Sequence, residues 1–104
     1  MKFSADSANE FRHADVTGYS YPIAGRGCSL SRLVVEGQGR PPQPEDLKHS
    51  FVFYVEQGHG TFWVGSETFP VGPRDLVQVP MGTPYRYEGQ MLLVEFMMPA
   101  WDPT

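Results

Sequence analysis

The sequence contains a single cysteine, Cys28, few basic residues and no long hydrophobic run. One cysteine excludes an internal disulfide framework, and we expect an inert thiol in a reducing compartment. Eight basic residues against twelve acidic ones give a net charge of −4, which offers no footprint for nucleic acid or an anionic membrane. No apolar stretch approaches the ~18 residues of a membrane span, and the N-terminus lacks the apolar segment of a signal peptide. These absences predict a soluble cytoplasmic protein.

Glycine and proline are abundant, with 11 and 10 residues in a chain of 104. Both residue types interrupt helices, at about 1 and 3 kcal/mol each, so a long-helix protein is excluded. Seven phenylalanines, five tyrosines and two tryptophans supply more apolar area than a disordered chain carries. The length suits one domain of about 100 residues, which we assign to residues 1–104.

Short β-type runs follow one another closely from residue 30 onward. They cover residues 30–36, 51–56, 61–64, 67–71, 76–79, 85–88 and 91–97. Gly65-Ser66 suits a two-residue hairpin, because glycine accepts a positive φ at its first central position. Gly58 and Gly60 predict another reversal, and Gly89-Gln90 a further turn. The proline-rich residues 39–44 predict a surface connection, because proline removes ladder donors.

This pattern predicts an all-β sandwich or closed barrel, which hides the edges of its strands. The barrel is expected over residues 30–98, with residues 1–22 as an N-terminal arm or edge strand. The run at 51–55 is apolar on both faces, so one face can line a barrel interior while the other needs a second layer or another subunit.

Residues 39–89 resemble the two conserved motifs of the cupin superfamily. Gly39, Glu45 and Gly58 have the spacing of the first motif, and residues 53–60 read Phe-Tyr-Val-Glu-Gln-Gly-His-Gly. Residues 75–85 read Asp-Leu-Val-Gln-Val-Pro-Met-Gly-Thr-Pro-Tyr and are similar to the second motif. The resemblance implies a cupin-type double-stranded β-helix, a jelly-roll barrel.

The four positions that hold the metal in this family correspond here to Glu45, Leu47, Phe51 and Tyr85. A transition metal needs three or four imidazole, carboxylate or thiolate donors. Leucine and phenylalanine offer none, and a neutral tyrosine is a poor donor. We therefore expect no metal and no other cofactor. The alternative is a metal cupin with relocated ligands, such as Glu45 with His49.

His49 shares strand parity with Phe51 and Phe53, so the three side chains can face the barrel interior beside Glu45. A histidine–carboxylate pair in an apolar pocket is a plausible general acid–base group. The other interpretation is a histidine at the barrel rim, bonded to backbone or water. Both remain open.

Tyr85 and Tyr87 alternate with Arg86 and therefore share a face. The family's ligand position faces the cavity, so we expect both tyrosines to line the pocket, with the Tyr85 hydroxyl as a donor to a bound molecule. Glu95 is either inward and functional or outward and solvated, and the pattern favours the outward position. The face that Arg32 occupies is undetermined.

The sequence thus predicts a small-molecule-binding cupin barrel that lacks a metal. The resemblance adds isomerase, epimerase or cyclase chemistry as the expected activity, with His49 and Tyr85 as acid–base groups. Glu45, Phe51, Phe53 and Tyr87 are the expected ligand-binding residues. A non-catalytic binding module is the further alternative. We also expect a homodimer, because cupins commonly pair through one sheet, often with an N-terminal segment, here residues 1–22, crossing to the neighbour.

Overall fold

The structure is a computed structural model that describes residues 2–23 and 27–100. These residues contain seven β-strands and two short 3-10 helices, Ala5–Ser7 and Pro44–Lys48. The strands are β1 (Asn9–His13), β2 (Val16–Ser20), β3 (Ser29–Val35), β4 (Ser50–Val64), β5 (Glu67–Val71), β6 (Leu76–Val79) and β7 (Tyr85–Met98). In the ranges given, no helix has the length and apolar character that crossing a membrane requires.

All strand pairs are antiparallel, in the order β1-β2-β3-β7-β4-β5, with β6 also paired to β4. β4 and β7 pair along almost their whole length, from Ser50 opposite Met98 to Val64 opposite Tyr85. β4 contacts β6 with its first half and β5 with its second, so the two long strands pass from one sheet into the other. The result is the expected all-β jelly-roll barrel.

The predicted reversals at residues 58–60 and 89–90 are wrong, because β4 and β7 run through both positions. Gly58 and Gly89 have φ of 88° and 139°, and the register of β4 against β7 shifts between Val55 and Gln57. A β-bulge of this kind bends a strand without ending it. A Cβ atom on Gly89 would lie 2.6 Å from the Cα of Gly60, so the two strands meet backbone to backbone at the bend.

The hairpin predicted at Gly65-Ser66 is confirmed. Residues 65 and 66 form the turn between β4 and β5, and Gly65 has the expected positive φ of 58°. The proline-rich segment also forms a connection, which leads into the second 3-10 helix and then into β4.

The N-terminal residues form a hairpin on the edge of the chain's own sheet. β1 pairs with β2, and β2 pairs with β3. Phe11 lies directly over Gly18, where a Cβ atom would stand 2.1 Å from the phenylalanine ring. This packing attaches β1 to the core, and residues 9–20 form edge strands of the chain's own sheet.

The inner faces of both sheets are apolar and strongly aromatic. Odd-numbered residues of β7 point inward together with alternate residues of β3 and β4. The largest fully buried side chains are Phe51, Phe53, Phe62, Tyr87, Leu33 and Leu93. Ring centroids of neighbouring aromatic residues lie 4.8–6.2 Å apart. The polar groups of the site are built around this aromatic cluster.

Candidate functional site

Arg40 lies in the loop between β3 and β4. Its side chain contacts the aromatic interior through Tyr85. Its guanidinium group donates two hydrogen bonds to the Asp46 carboxylate, of 2.8 and 3.2 Å. Nη2 also donates to the Tyr85 hydroxyl at 2.7 Å, and the cation stands 5.7 Å from the centroid of the same ring. The Arg40 and Asp46 side chains are only 15% and 11% exposed. An enclosed, charge-matched cluster therefore borders the tyrosines.

The local sequence explains this arrangement. Pro44 begins the 3-10 helix, and Asp46 accepts a hydrogen bond from the backbone N–H of Gln43 at 2.9 Å, which completes a capping box. Gly39 has a φ of 65°, and a Cβ atom there would lie 2.5 Å from the Tyr87 carbonyl oxygen. Only glycine fits such a position, and it brings the following Arg40 against the barrel.

Tyr85 and Tyr87 are both buried, with 4% and 2% exposure. Burial raises the pKa of each phenol above its ordinary range, and the nearby Arg40 charge only partly opposes this. Both hydroxyl groups are therefore neutral and can donate a hydrogen bond. The Tyr87 hydroxyl is buried, and the Arg40 guanidinium lies close enough to lower its pKa through a hydrogen-bond interaction, but no atom in residues 2–23 and 27–100 meets the distance and angle criteria of a hydrogen bond with it. A buried hydroxyl normally has a partner.

Glu95 faces the interior and not solvent. It lies opposite Phe53 on β4 and opposite Ser31 on β3, and both of those residues are buried. The protein encloses the carboxyl group, and this burial raises the pKa of Glu95 to about 7, against the opposing charge of Arg40. The side chain as a whole is half-buried. The predicted outward, solvated position is wrong.

His49 is 7% exposed and packs edge-on against Phe51 at 6.1 Å. Its Nδ1 atom lies 2.7 Å from the carbonyl oxygen of Pro99. His49 is therefore bonded to the backbone, as in the interpretation that placed it at the barrel rim. Its ring still packs against the interior residue Phe51.

Glu45 does not join His49. It lies exposed on the 3-10 helix, while the next residue, Asp46, takes the buried position and binds Arg40. The His49–Glu45 pair, the first of the two interpretations, does not form, because the 3-10 helix turns the Glu45 side chain toward solvent. Phe51, Phe53, Tyr85 and Tyr87 do face the interior, and Arg32 faces outward, with the alternate parity of β3.

The donor set does not fit the metal of the family. Within the two described ranges, no three histidine, cysteine, aspartate or glutamate side chains come close enough to hold an ion. Of the four family positions, Glu45 and Leu47 are exposed and Phe51 carries no donor atom. The fourth, Tyr85, is a neutral phenol bonded to Arg40. The relocated pair Glu45 and His49 is likewise not assembled.

Sequence reasoning missed Arg40, Asp46 and the inward position of Glu95. Glu95 had a readable signal, because it shares odd parity with Tyr85, Tyr87 and Leu93 along one strand. Arg40 and Asp46 lie in a loop without periodicity. Two surface depressions of about 260 Å³ flank this loop. Arg40 borders one, and Asp46 and Tyr85 border the other, so the cluster lies between the two depressions.

The fold is a jelly-roll barrel, and a polar cluster lies beside its aromatic interior. This combination is typical of the small β-barrel proteins that bind small molecules. A family model described as Cupin domain matches residues 32–93. This is more than half of the chain, so the protein belongs to the cupin family.

Solved structures extend the likeness. Pac13 of Streptomyces, described as a unique nucleoside dehydratase, has a TM-score of 0.89 and 26% identity, covering 98% of this chain and 84% of its own. KdgF from Halomonas sp. has a TM-score of 0.80 and 15% identity, covering 98% and 96%. An RmlC-like cupin from Shewanella frigidimarina has a TM-score of 0.81 and 14% identity, covering 98% and 94%. The last two show the fold alone. A search of curated proteins gave no match.

Proposed function

We propose that this cupin binds a nucleoside, or a related small molecule with hydroxyl groups, and acts on it by proton transfer without a metal. The observation that carries the proposal is the buried Tyr87 hydroxyl, which has no partner among the described residues. It lies in an aromatic cluster beside Tyr85 and Arg40. Leaving a buried polar group unsatisfied costs about 1–3 kcal/mol, so a bound molecule is a natural partner for it.

The chemistry of the surroundings suits a nucleoside. Tyr85 borders a surface depression of about 260 Å³, and an aromatic ring can stack on a nucleobase there, a contact worth about 1–3 kcal/mol per base. The neutral phenols and the guanidinium group donate hydrogen bonds to base carbonyls and sugar hydroxyls. Because Asp46 already neutralises Arg40, the cluster offers no free positive charge for a phosphate. We therefore expect the nucleoside to bind more tightly than its phosphate ester.

The likeness to Pac13 supports the same ligand class. Structures of Streptomyces Pac13 with uridine have been determined for two tyrosine-to-phenylalanine variants and one histidine-to-glutamine variant. The two substituted tyrosines stand 34 positions apart, a spacing that here separates Phe51 from Tyr85 and Phe53 from Tyr87. The histidine precedes the first tyrosine by 13 positions. In either register that position holds glutamine or arginine here, at 38 or 40.

In these two registers the chain has a tyrosine at the second position of the pair, a phenylalanine at the first, and glutamine or arginine at the position of the histidine. A phenylalanine cannot transfer a proton, and an arginine side chain stays protonated in proteins. The proposed ligand class rests in part on the likeness to Pac13. The residues that transfer protons must be sought among other side chains of this chain.

Calorimetric titration of the purified protein with uridine tests the proposal. We expect uridine to bind and uridine monophosphate to bind at least tenfold more weakly. Tyr87→Phe should weaken uridine binding about fivefold to tenfold, since one neutral hydrogen bond is worth about 1 kcal/mol. Tyr54→Phe, at an exposed position on the outer face, is the matched control and should bind as the wild type does.

Failure of uridine and the other common nucleosides to bind at millimolar concentration would contradict the ligand class. Mass spectrometry of mixtures incubated with a uridine derivative that carries a carbonyl group on its sugar, which acidifies the neighbouring C–H bond, then separates an enzyme from a binding module, because dehydration removes the mass of one water. Binding and turnover that persist after dialysis against a chelator would support metal independence. Activity that is lost with the chelator and restored by a transition metal would contradict it.

A further inference from the structure

The larger sheet of the barrel contains β1, β2, β3, the second half of β7, the first half of β4 and β6. A row of polar side chains crosses its inner face. Asn9 on β1 lies opposite Ser20 on β2, and Ser20 lies opposite Ser31 on β3. Ser31 in turn lies opposite Glu95 on β7. Side chains directly opposite in antiparallel strands have Cβ atoms about 4.5–5.5 Å apart, so each member of the row is a neighbour of the next.

The adjacent level of the same face is apolar. It contains Phe11, Gly18, Leu33 and Leu93, which continue one another across the same four strands. The sheet therefore packs without polar side chains in the adjacent row, and packing alone does not explain why the first row is polar. A glutamate placed inward on such a sheet costs free energy unless a partner compensates it.

Burial increases along the polar row from Asn9 at the sheet edge to Ser31. Asn9 is exposed, Ser20 is half-buried and Ser31 is 5% exposed. Glu95 keeps an open part although the protein surrounds its carboxyl group. The row therefore leads from solvent to the aromatic interior and ends at an ionisable group. On its other side Glu95 faces Phe53, whose ring lies 5.7 Å from that of Tyr87.

We propose that Glu95 is the acid–base residue of this site and exchanges a proton with the bound molecule, beside the hydroxyl of Ser31. The inference rests on the proposed function and supplies the proton-transfer group for it. It is independent of His49, whose Nδ1 atom lies 2.7 Å from the Pro99 carbonyl oxygen and which does not belong to the row that contains Ser31 and Glu95. It also differs from the residues substituted in the Pac13 variants, which are tyrosines and a histidine.

The step balances for loss of water from a hydroxyl-bearing substrate. The Glu95 carboxylate removes a proton from a carbon acidified by a neighbouring electron-withdrawing group. The C–H electron pair forms a carbon–carbon double bond, and the C–O bond breaks with its electrons on oxygen. The Glu95 carboxyl group gives the proton to the departing hydroxide, water leaves, and the carboxylate is restored. No oxidant, reductant or metal takes part in this balance.

The groups around Glu95 permit both protonation states near neutral pH. Burial raises its pKa to about 7, Arg40 from the loop acts in the opposite direction, and Asp46 adds to the rise. Tyr85 and Tyr87 face the same interior as neutral phenols. An acid–base group works best when its pKa lies near the working pH.

Proton-linked binding tests the inference. Uridine is titrated calorimetrically into the protein at pH 7 in buffers of different ionisation enthalpy, which measures the protons taken up or released on binding. We expect the wild type to take up a substantial fraction of a proton, because the bound molecule covers Glu95 further. Glu95→Gln should bind uridine with no linked proton. Glu45→Gln, which alters an exposed carboxylate one residue before Asp46, is the matched control and should behave as the wild type.

Two further measurements complete the test. Carbon-13 resonances of the glutamate carboxyl groups are followed against pH, and the Glu95 signal is the one missing from Glu95→Gln. It should titrate above pH 6 and move when uridine is added. If Glu95→Gln does not fold, Glu95→Asp retains the carboxyl group and should retain the linked proton.

The outcomes separate the two proposals. Uridine binding with the same proton uptake in wild type and Glu95→Gln would overturn the role of Glu95 and leave the proposed function standing. A Glu95 signal that titrates below pH 5 would do the same. Absence of nucleoside binding to the wild type would overturn the proposed function, and the role of Glu95 with it.

Discussion

Tyr85 and Tyr87 stand two residues apart on one strand and face the same interior, yet their hydroxyl groups have different surroundings. The Tyr85 hydroxyl accepts a hydrogen bond from the Arg40 guanidinium at 2.7 Å. The Tyr87 hydroxyl has no partner in the ranges the structure describes. Two chemically identical side chains therefore serve different ends. One is bonded within the folded structure, and the other is the hydroxyl to which we assign a bound molecule in the proposed function.

Removal of the two hydroxyl groups should affect the free energy of unfolding differently. We expect Tyr85→Phe to lower it by about 1.5–3 kcal/mol, because a hydrogen bond from a charged donor is lost. Tyr87→Phe should leave it within about 0.5 kcal/mol of the wild type or raise it, because an unsatisfied polar atom disappears. Urea denaturation of both variants measures the difference. Equal losses in the two variants would contradict the assignment of Tyr87 as the unpaired hydroxyl.

The raised pKa of Glu95 makes stability depend on pH. In the unfolded chain the group ionises near its ordinary value of 4.5, while in the folded protein its pKa is about 7. Between these values the folded state holds a proton that the unfolded state has released, so raising the pH favours unfolding. The free energy of unfolding should therefore fall from pH 4.5 to pH 7, by at most about 1.4 kcal/mol per pH unit. Above pH 7 this contribution is lost.

Urea denaturation at a series of pH values checks this dependence. Glu95→Gln should show a flatter profile than the wild type over the same interval, since an amide does not titrate. The two proteins differ only at residue 95, so contributions from the rest of the chain cancel in the comparison. Parallel profiles would show that Glu95 ionises normally in the folded protein.

Residue positions were predictable where strand parity applied. Phe51, Phe53, Tyr85 and Tyr87 alternate with outward residues, and all four are buried as expected. Glu45 was misplaced, because it lies in a 3-10 helix of about three residues per turn, for which parity has no meaning. Where a segment changes its repeat, the side of each residue depends on the local backbone.

At the scale of elements, the loop between β3 and β4 is held by one ion pair. Arg40 and Asp46 are six residues apart and mostly buried. The Asp46 carboxylate also caps the 3-10 helix through the Gln43 backbone. The prolines of this segment restrict the chain, and the ion pair fixes it against the barrel.

We expect Asp46→Ala to lower the free energy of unfolding by about 3 kcal/mol, because it leaves the Arg40 charge enclosed without its partner. Glu45→Ala, one residue earlier and exposed, should change it by less than about 0.5 kcal/mol. Thermal or urea denaturation of the matched pair measures the contrast. Similar values for the two variants would mean that the Arg40–Asp46 pair contributes little to stability.

The long strands show what the sequence conceals at this scale. Glycines at 58 and 89 were interpreted as turns, because a positive φ serves turns and bulges equally well. Which of the two forms depends on whether a distant strand continues alongside, and β7 supplies that partner for β4. The cupin motifs predicted the barrel correctly, but the passage of two strands between sheets depends on contacts far apart in the chain.

At the scale of the whole molecule, the outer face of the larger sheet carries exposed apolar side chains. Leu76 is 63% exposed, Phe96 38% and Tyr54 37%. Tyr54 lies opposite Leu76, and Phe96 lies opposite both Val52 and Leu30, so these side chains are neighbours on one surface. Contiguous apolar patches on a soluble protein usually mark an interface. Residues 9–20 pair within the chain's own sheet and leave this surface uncovered.

We propose that a second copy of the chain covers this face in a twofold, isologous contact, which is the commonest symmetry of homo-oligomers. Light scattering after size exclusion at micromolar concentration should give about twice the chain mass of 11.7 kDa. Phe96→Lys should shift the mass toward the monomer, because it places a charge in an apolar contact. Met81→Lys is the control, since Met81 is 57% exposed in a turn outside the sheet, and it should leave the mass unchanged. A wild-type mass near that of one chain would refute the dimer. A dimer that survives Phe96→Lys would place the contact on another surface.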